Sequence, residues 1–170
     1  MRNQSFFIWQ IALLIVGISL TSCKNQSTEK DAVPEVQEIT DRFEDGPISR
    51  KYTLVKGKKE GKYQEYYHTG ELLCERNFVN DIEEGKTVFY YRDGNIKEVM
   101  YLLNGNKNGG DTLYYEDGSF KYISTYKDGI RHGILKKWGE DGVVTYEAKF
   151  NMDTLIEVHG KPVKQEIIAK

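Results

Sequence analysis

Glycines recur in this chain on a fixed ruler of 24 residues: Gly61, Gly85, Gly109 and Gly133, and again Gly70, Gly94, Gly118 and Gly142. Spacing held without a slip over four units is the mark of an array, in which each unit buries surface only by stacking on its neighbours. Five residues after each first glycine stands Tyr66, Tyr90, Tyr114 or Trp138, and the next position holds Tyr67, Tyr91, Tyr115 and then Gly139. A third column, Phe78, Leu102, Tyr126 and Phe150, follows each second glycine by eight. Gly46, 24 before Gly70 and followed by Tyr52, Leu54 and Gly57, reads as a degenerate opening unit, as terminal repeats are atypical.

Inside each unit the period is two, which predicts a β-hairpin. Counting from the second glycine, Ile96, Glu98, Met100, Leu102, then Phe120, Tyr122, Ser124, Tyr126, then Val144, Tyr146, Ala148, Phe150 fall on one expected apolar face. The intervening Lys97, Val99, Tyr101, then Lys121, Ile123, Thr125, then Thr145, Glu147, Lys149 give a mixed and mostly wet opposite face. Asp93-Gly94, Asp117-Gly118 and Asp141-Gly142 would close one end of each hairpin, and Asn104-Gly105 and Asp128-Gly129 the other, glycine supplying positive φ. The expected fold is all-β: an elongated single-layer antiparallel meander of hairpin repeats. Lone hairpins are marginal in water, so such a sheet needs large side chains stacked across strands, each aromatic pair contributing about 0.2–1 kcal/mol. Roughly ten strands at about 4.8 Å would extend some 45 Å.

Taken together, the glycine, the aromatic pair five and six residues on, the next glycine, the residue eight further and the closing Asn-Gly or Asp-Gly resemble the variant MORN repeat. In particular they are similar to a bacterial family described as antitoxin components of the YwqK type. The resemblance spans about Gly46 to Glu157. It implies a meander used as a spacer or docking surface, and, if the antitoxin description is literal, neutralisation of a toxin by binding.

Ahead of the array, Arg2 precedes the apolar run Phe6 to Leu20, short for a membrane span and suited to a signal peptide. Leu20-Thr21-Ser22-Cys23 resembles the lipobox of bacterial lipoproteins, which implies cleavage before Cys23 and its lipidation. Lys24 is not the aspartate that resembles an inner-membrane retention signal, so placement in the cell envelope, with outer membrane favoured over inner, is expected. The expected organisation is a signal peptide over 1–22, the lipidated Cys23 and a solvated tether over 23–45, the repeat sheet over 46–157 and a C-terminal cap or tail over 158–170. Polar composition around Pro34 supports the tether. With Cys23 lipidated only Cys74 remains, so no disulfide framework is expected. The formal charge of −2 falls to −3 when Arg2 leaves with the leader, which argues against a nucleic-acid partner, since that needs a basic patch.

No residue pattern points to catalysis or a cofactor. Gly57-Lys-Lys-Glu-Gly61-Lys62 has the wrong spacing for a phosphate loop and no helix after it. His68, His132 and His159 are dispersed without metal-ligand spacing, so no metal is expected. Cys74 sits in the apolar column without a nearby base. Glu98, a carboxylate in that column, would pair with a lysine or arginine of a neighbouring strand or accept from Tyr122. The short stretch after Phe150 is expected to leave no room for a catalytic domain. One layer cannot bury both aromatic columns. Tyr66, Tyr90, Tyr114 and Trp138 are expected on the apolar side unless a bulge at the glycine exchanges the two columns, leaving Tyr67, Tyr91 and Tyr115 as the candidate binding residues, either as a stiffening stack or as a docking stripe for protein or sugar. The expected role is a membrane-anchored, non-enzymatic interaction module with a protein partner, the alternative being an envelope glycan- or lipid-binding module.

Overall fold

The computed structural model describes residues 35–162; the expected signal peptide, Cys23 and the end of the tail lie outside the described residues. The strands are β1 (Val36–Arg42), β2 (Ile48–Val55), β3 (Lys58–Tyr66), β4 (Leu72–Val79), β5 (Ile82–Glu83), β6 (Gly85–Tyr90), β7 (Ile96–Leu103), β8 (Asn106–Tyr114), β9 (Phe120–Lys127), β10 (Ile130–Trp138), β11 (Val144–Asn151), β12 (Thr154–Val158) and β13 (Lys161–Pro162). β4 pairs with both β5 and β6, two pieces of one strand that parts at Glu84. The strands otherwise follow one another in chain order in one open antiparallel sheet, the expected meander.

Two turn chemistries alternate along it. At one end Asn104 and Gly105 have φ of 52° and 76°, the two-residue turn whose twist matches the strands it joins. At the other end Tyr91 N–H donates to Asn95 O at 2.8 Å and Gly94 N–H to Tyr91 O at 3.1 Å, a three-residue loop closed by a glycine at φ 88°.

The sheet begins and ends beyond the expected bounds. Val36–Arg42, placed in the tether by composition, forms the edge strand β1, with Ile39 opposite Tyr52. Beyond Glu157, a turn at His159-Gly160 returns the chain as β13. Polarity misled the reading of β1, because an edge strand packs against one neighbour and keeps charges such as Glu38 and Asp41 on a rim that must not aggregate.

Bulges decide which residues share a face. Glu65 lies opposite Cys74 but Tyr66 lies opposite Leu72, so Leu73 is an extra residue on the second strand. The same bulge recurs at Lys97, Lys121 and Thr145. One extra residue flips everything beyond it. Ile96, Phe120 and Val144 therefore leave the column to which strict alternation assigned them and join Tyr90, Tyr114 and Trp138 on the other face. A second bulge, at the first glycine of each unit, spans four residues against two, as where Lys107 faces Leu102 and Asp111 faces Met100. It preserves the faces because the insertion is even.

One side, called the closed face, carries the core: Tyr63, Cys74, Phe78, Leu135, Ala148 and Phe150 are buried there. Tyr52, Tyr63 and Phe78 stack with ring centroids 5.4 and 5.3 Å apart, and Leu135, Ala148 and Phe150 pack with Tyr122, Tyr146, Leu155 and Val158. With no second layer, long cations serve as the lid. Lys59 lies 5.1 Å over Phe78, Lys107 5.3 Å over Tyr126 and Arg131 4.8 Å over Phe150, close enough for cation–π attraction and for their stems to cover ring surface. These cations share one repeat position, and the unit whose third column is Leu102 holds Glu83 there instead.

Candidate interaction surface

The centre of the closed face is polar where alternation suggested it would be apolar. Asp111, buried opposite Ser124, accepts from Lys107 at 2.6 Å, and Glu98 lies 3.9 Å from the same ammonium. Glu98 thus pairs with a neighbouring strand's lysine. Burial first, and then the adjacent Asp111 carboxylate, push the Glu98 pKa up. Asp111 Oδ1 and Ser124 Oγ have no partner. Farther along, Arg76 meets Glu65 at 3.5 Å and lies 5.6 Å over Phe89, while Thr87 donates to Glu83. These groups pair with one another in part, through Lys107 with Asp111, Arg76 with Glu65 and Thr87 with Glu83, rather than converging on a cleft. Burial pushes the Cys74 thiol up to about 11, the opposite of what a nucleophile needs. Among the described residues no three His, Cys, Asp or Glu side chains are grouped to hold a metal. His68 pairs with Asp45 at 2.7 Å and His159 packs on Tyr146.

The two aromatic columns occupy the faces opposite to those expected. Tyr67, Tyr91 and Tyr115 lie half-buried, and each hydroxyl donates to the backbone of the next unit: to Tyr90 O at 2.8 Å, Tyr114 O at 2.7 Å and Trp138 O at 2.9 Å. Arg92, Lys97 and Lys121 lie over these rings at 5.2, 5.6 and 5.0 Å. Hydroxyls and ring faces are thus engaged within the array. Gly139 stands where this ladder ends, its would-be Cβ only 2.7 Å from Asp141 Oδ1.

Tyr66, Tyr90, Tyr114 and Trp138 instead face the other side, each opposite an aliphatic or aromatic residue: Leu72, Ile96, Phe120 and Val144. Phe120 bridges two units, 5.4 Å from Tyr114 and 5.6 Å from Trp138. This side also carries a straight row in which each residue lies opposite the next: Lys51, Gln64, Glu75, Val88, Val99, Thr112, Ile123, Lys136 and Glu147. Its middle is apolar and its ends are charged. The exposed large hydrophobic residues Val79, Ile82, Ile96, Tyr101, Leu103, Phe120, Ile134 and Val144 all project here. We call it the open face. Sequence reasoning missed it because the signal, spacings alternating between 11 and 13 from Lys51 to Glu147, becomes visible only once the bulges are placed.

Residues 59–80 and 83–104 match the family model described as the MORN repeat variant. Two of the chain's repeats are thus of the MORN variant type. Each matched segment begins at the position that carries Lys59 or Glu83, two before the first glycine. The MORN hairpin of these segments recurs with the same bulges in β8–β9 and β10–β11. No curated protein matches the chain.

Proposed function

We propose that this MORN-repeat protein is a non-enzymatic interaction module, anchored in the bacterial envelope through lipidated Cys23, that docks a protein on its open face. One observation carries the docking surface: the exposed large hydrophobics of β4 to β11 project to one side of the sheet, while the buried ones, Val88 apart, project to the other. A contiguous apolar area with a charged border marks a protein-binding site far more than scattered exposed residues do. Aliphatic Ile96, Val144, Val79 and Leu103 among the rings favour a protein over a glycan, which wants stacking rings with hydrogen-bonding groups between them. Outer-membrane attachment and an immunity-like role against an envelope toxin fit a lipid anchor followed by a binding domain.

Capture from an envelope extract with wild-type protein and with Phe120→Asp tests the docking face. A protein retained by wild type and lost by the variant, with the melting temperature kept, is the expected result; equal retention contradicts it. For the anchor, Cys23→Ala should abolish labelling by a fatty-acid probe, and equal labelling would remove that part of the reading.

A further inference from the structure

We infer that the open face is covered by a second copy of this chain, packed face to face about a two-fold axis lying near the strand direction between β7 and β8. The inference rests on the docking reading above and names the occupant. Such a rotation keeps the Asp-Gly edge over the Asp-Gly edge and reverses the strand order, setting β7 over β8, β6 over β9, β4 over β10 and β3 over β11.

The straight row is then self-complementary. Val99 meets Thr112, Val88 meets Ile123, Glu75 meets Lys136 and Gln64 meets Glu147. Within one chain Glu75 already holds Lys62 at 2.6 Å and Lys136 holds Glu147 at 3.0 Å. The rotation joins these pairs into a line of alternating sign, which is what electrostatic specificity requires. Along the Asp-Gly edge Tyr66 lies over Val144, Leu72 over Trp138 and Ile96 over Tyr114, ring against aliphatic side chain, while Tyr90 meets Phe120. Tyr101, exposed, lies over Gly110. The register is specific. Moving the axis onto β8 sets Val88 over Lys136 and Glu75 over Glu147, and moving it onto β7 sets Glu75 over Ile123. The one clash of sign, Lys62 over Lys149, falls at a corner where both are exposed, and sheets packed at about −30° diverge there.

The area is sufficient. Eight strands about 4.8 Å apart, contributing about six residues of about 3.3 Å each, make a rectangle on the order of 800 Å² per copy, and about 800 Å² per partner is what a specific interface buries. An isologous two-fold contact of this kind is the commonest way for a chain to self-associate, and it closes on itself.

The test uses full-length protein extracted in detergent, sized by light scattering and treated with a carbodiimide. The expected mass is that of two chains, with a Glu75–Lys136 cross-link in the peptide map. In a single sheet those residues lie five strand spacings apart, about 24 Å, so the cross-link reports a second copy. Glu75→Lys and Lys136→Glu should each weaken the dimer tenfold or more, and the double reversal should restore it. A one-chain mass, a dimer lacking that cross-link, or single reversals without effect would overturn the inference. If the mass is that of one chain while Phe120→Asp still loses a captured protein, the second copy fails and the docking face survives; equal capture strikes the docking face itself.

Discussion

The Tyr91 hydroxyl donates to the Tyr114 carbonyl oxygen at 2.7 Å, 23 residues ahead, and so fastens one repeat to the next. Tyr67 and Tyr115 make the same bond at their own positions. Tyr91→Phe and Tyr115→Phe remove only the hydroxyl and should each lower stability by about 1 kcal/mol in urea denaturation, the net contribution of such a bond. Tyr101→Phe, on an exposed side chain, should change little.

At Gly118 φ is 84° and an added Cβ would meet nothing within 4 Å. The demand on this residue is therefore conformational. Gly118→Val should cost about 1–3 kcal/mol from backbone strain, whereas Gly118→Asn, which tolerates the left-handed region, should cost much less. Equal losses in a thermal melt would mean that volume, and not the dihedral, is limiting.

Much of this was legible in the sequence, for a physical reason. A hairpin array repeats its turn chemistry, and Asn104-Gly105 or Asp117-Gly118 must fall where positive φ is required, so the ruler of glycines locates strands and turns together. The faces were not legible, because they depend on a single extra residue. Leu73, Lys97, Lys121 and Thr145 bulge, and nothing in their chemistry distinguishes them from neighbours in regular pleat. That is why strict alternation puts Ile96 and Phe120 with the core and makes Tyr67, Tyr91 and Tyr115 the exposed column. The cation lid on the closed face was in plain view at Lys59, Lys107 and Arg131, yet its role needs the Phe78, Tyr126 and Phe150 rings beneath it.

Glu98 offers a pH test. Burial and Asp111 raise its folded-state pKa, so its contribution to stability is most favourable below the unfolded carboxylate pKa and is lost as pH rises through the higher folded value. Glu98→Gln should therefore raise the melting temperature near neutral pH, and the gain should shrink as the solution is acidified below the ordinary glutamate range. A gain that does not vary with pH would locate the effect in packing.

Cys74 is fully buried and its thiol is raised to about 11. Labelling by a neutral maleimide at pH 7 should be negligible in the folded domain and should follow the unfolding curve in urea, since the thiolate is the reactive form. Rapid labelling without denaturant would show that the closed face opens locally.

The division into a closed and an open face is tested most directly by hydroxyl-radical footprinting of the aromatic side chains, with the protein free, as single chains kept apart by Glu75→Lys, and then docked, as the wild-type pair. Tyr90, Tyr114 and Phe120 should be oxidised in the free protein and protected on docking, while Tyr63, Phe78 and Phe150 should be protected in both states. Oxidation of Tyr63, Phe78 and Phe150 in the free protein, lost on docking while Phe120 stays reactive, would contradict the account.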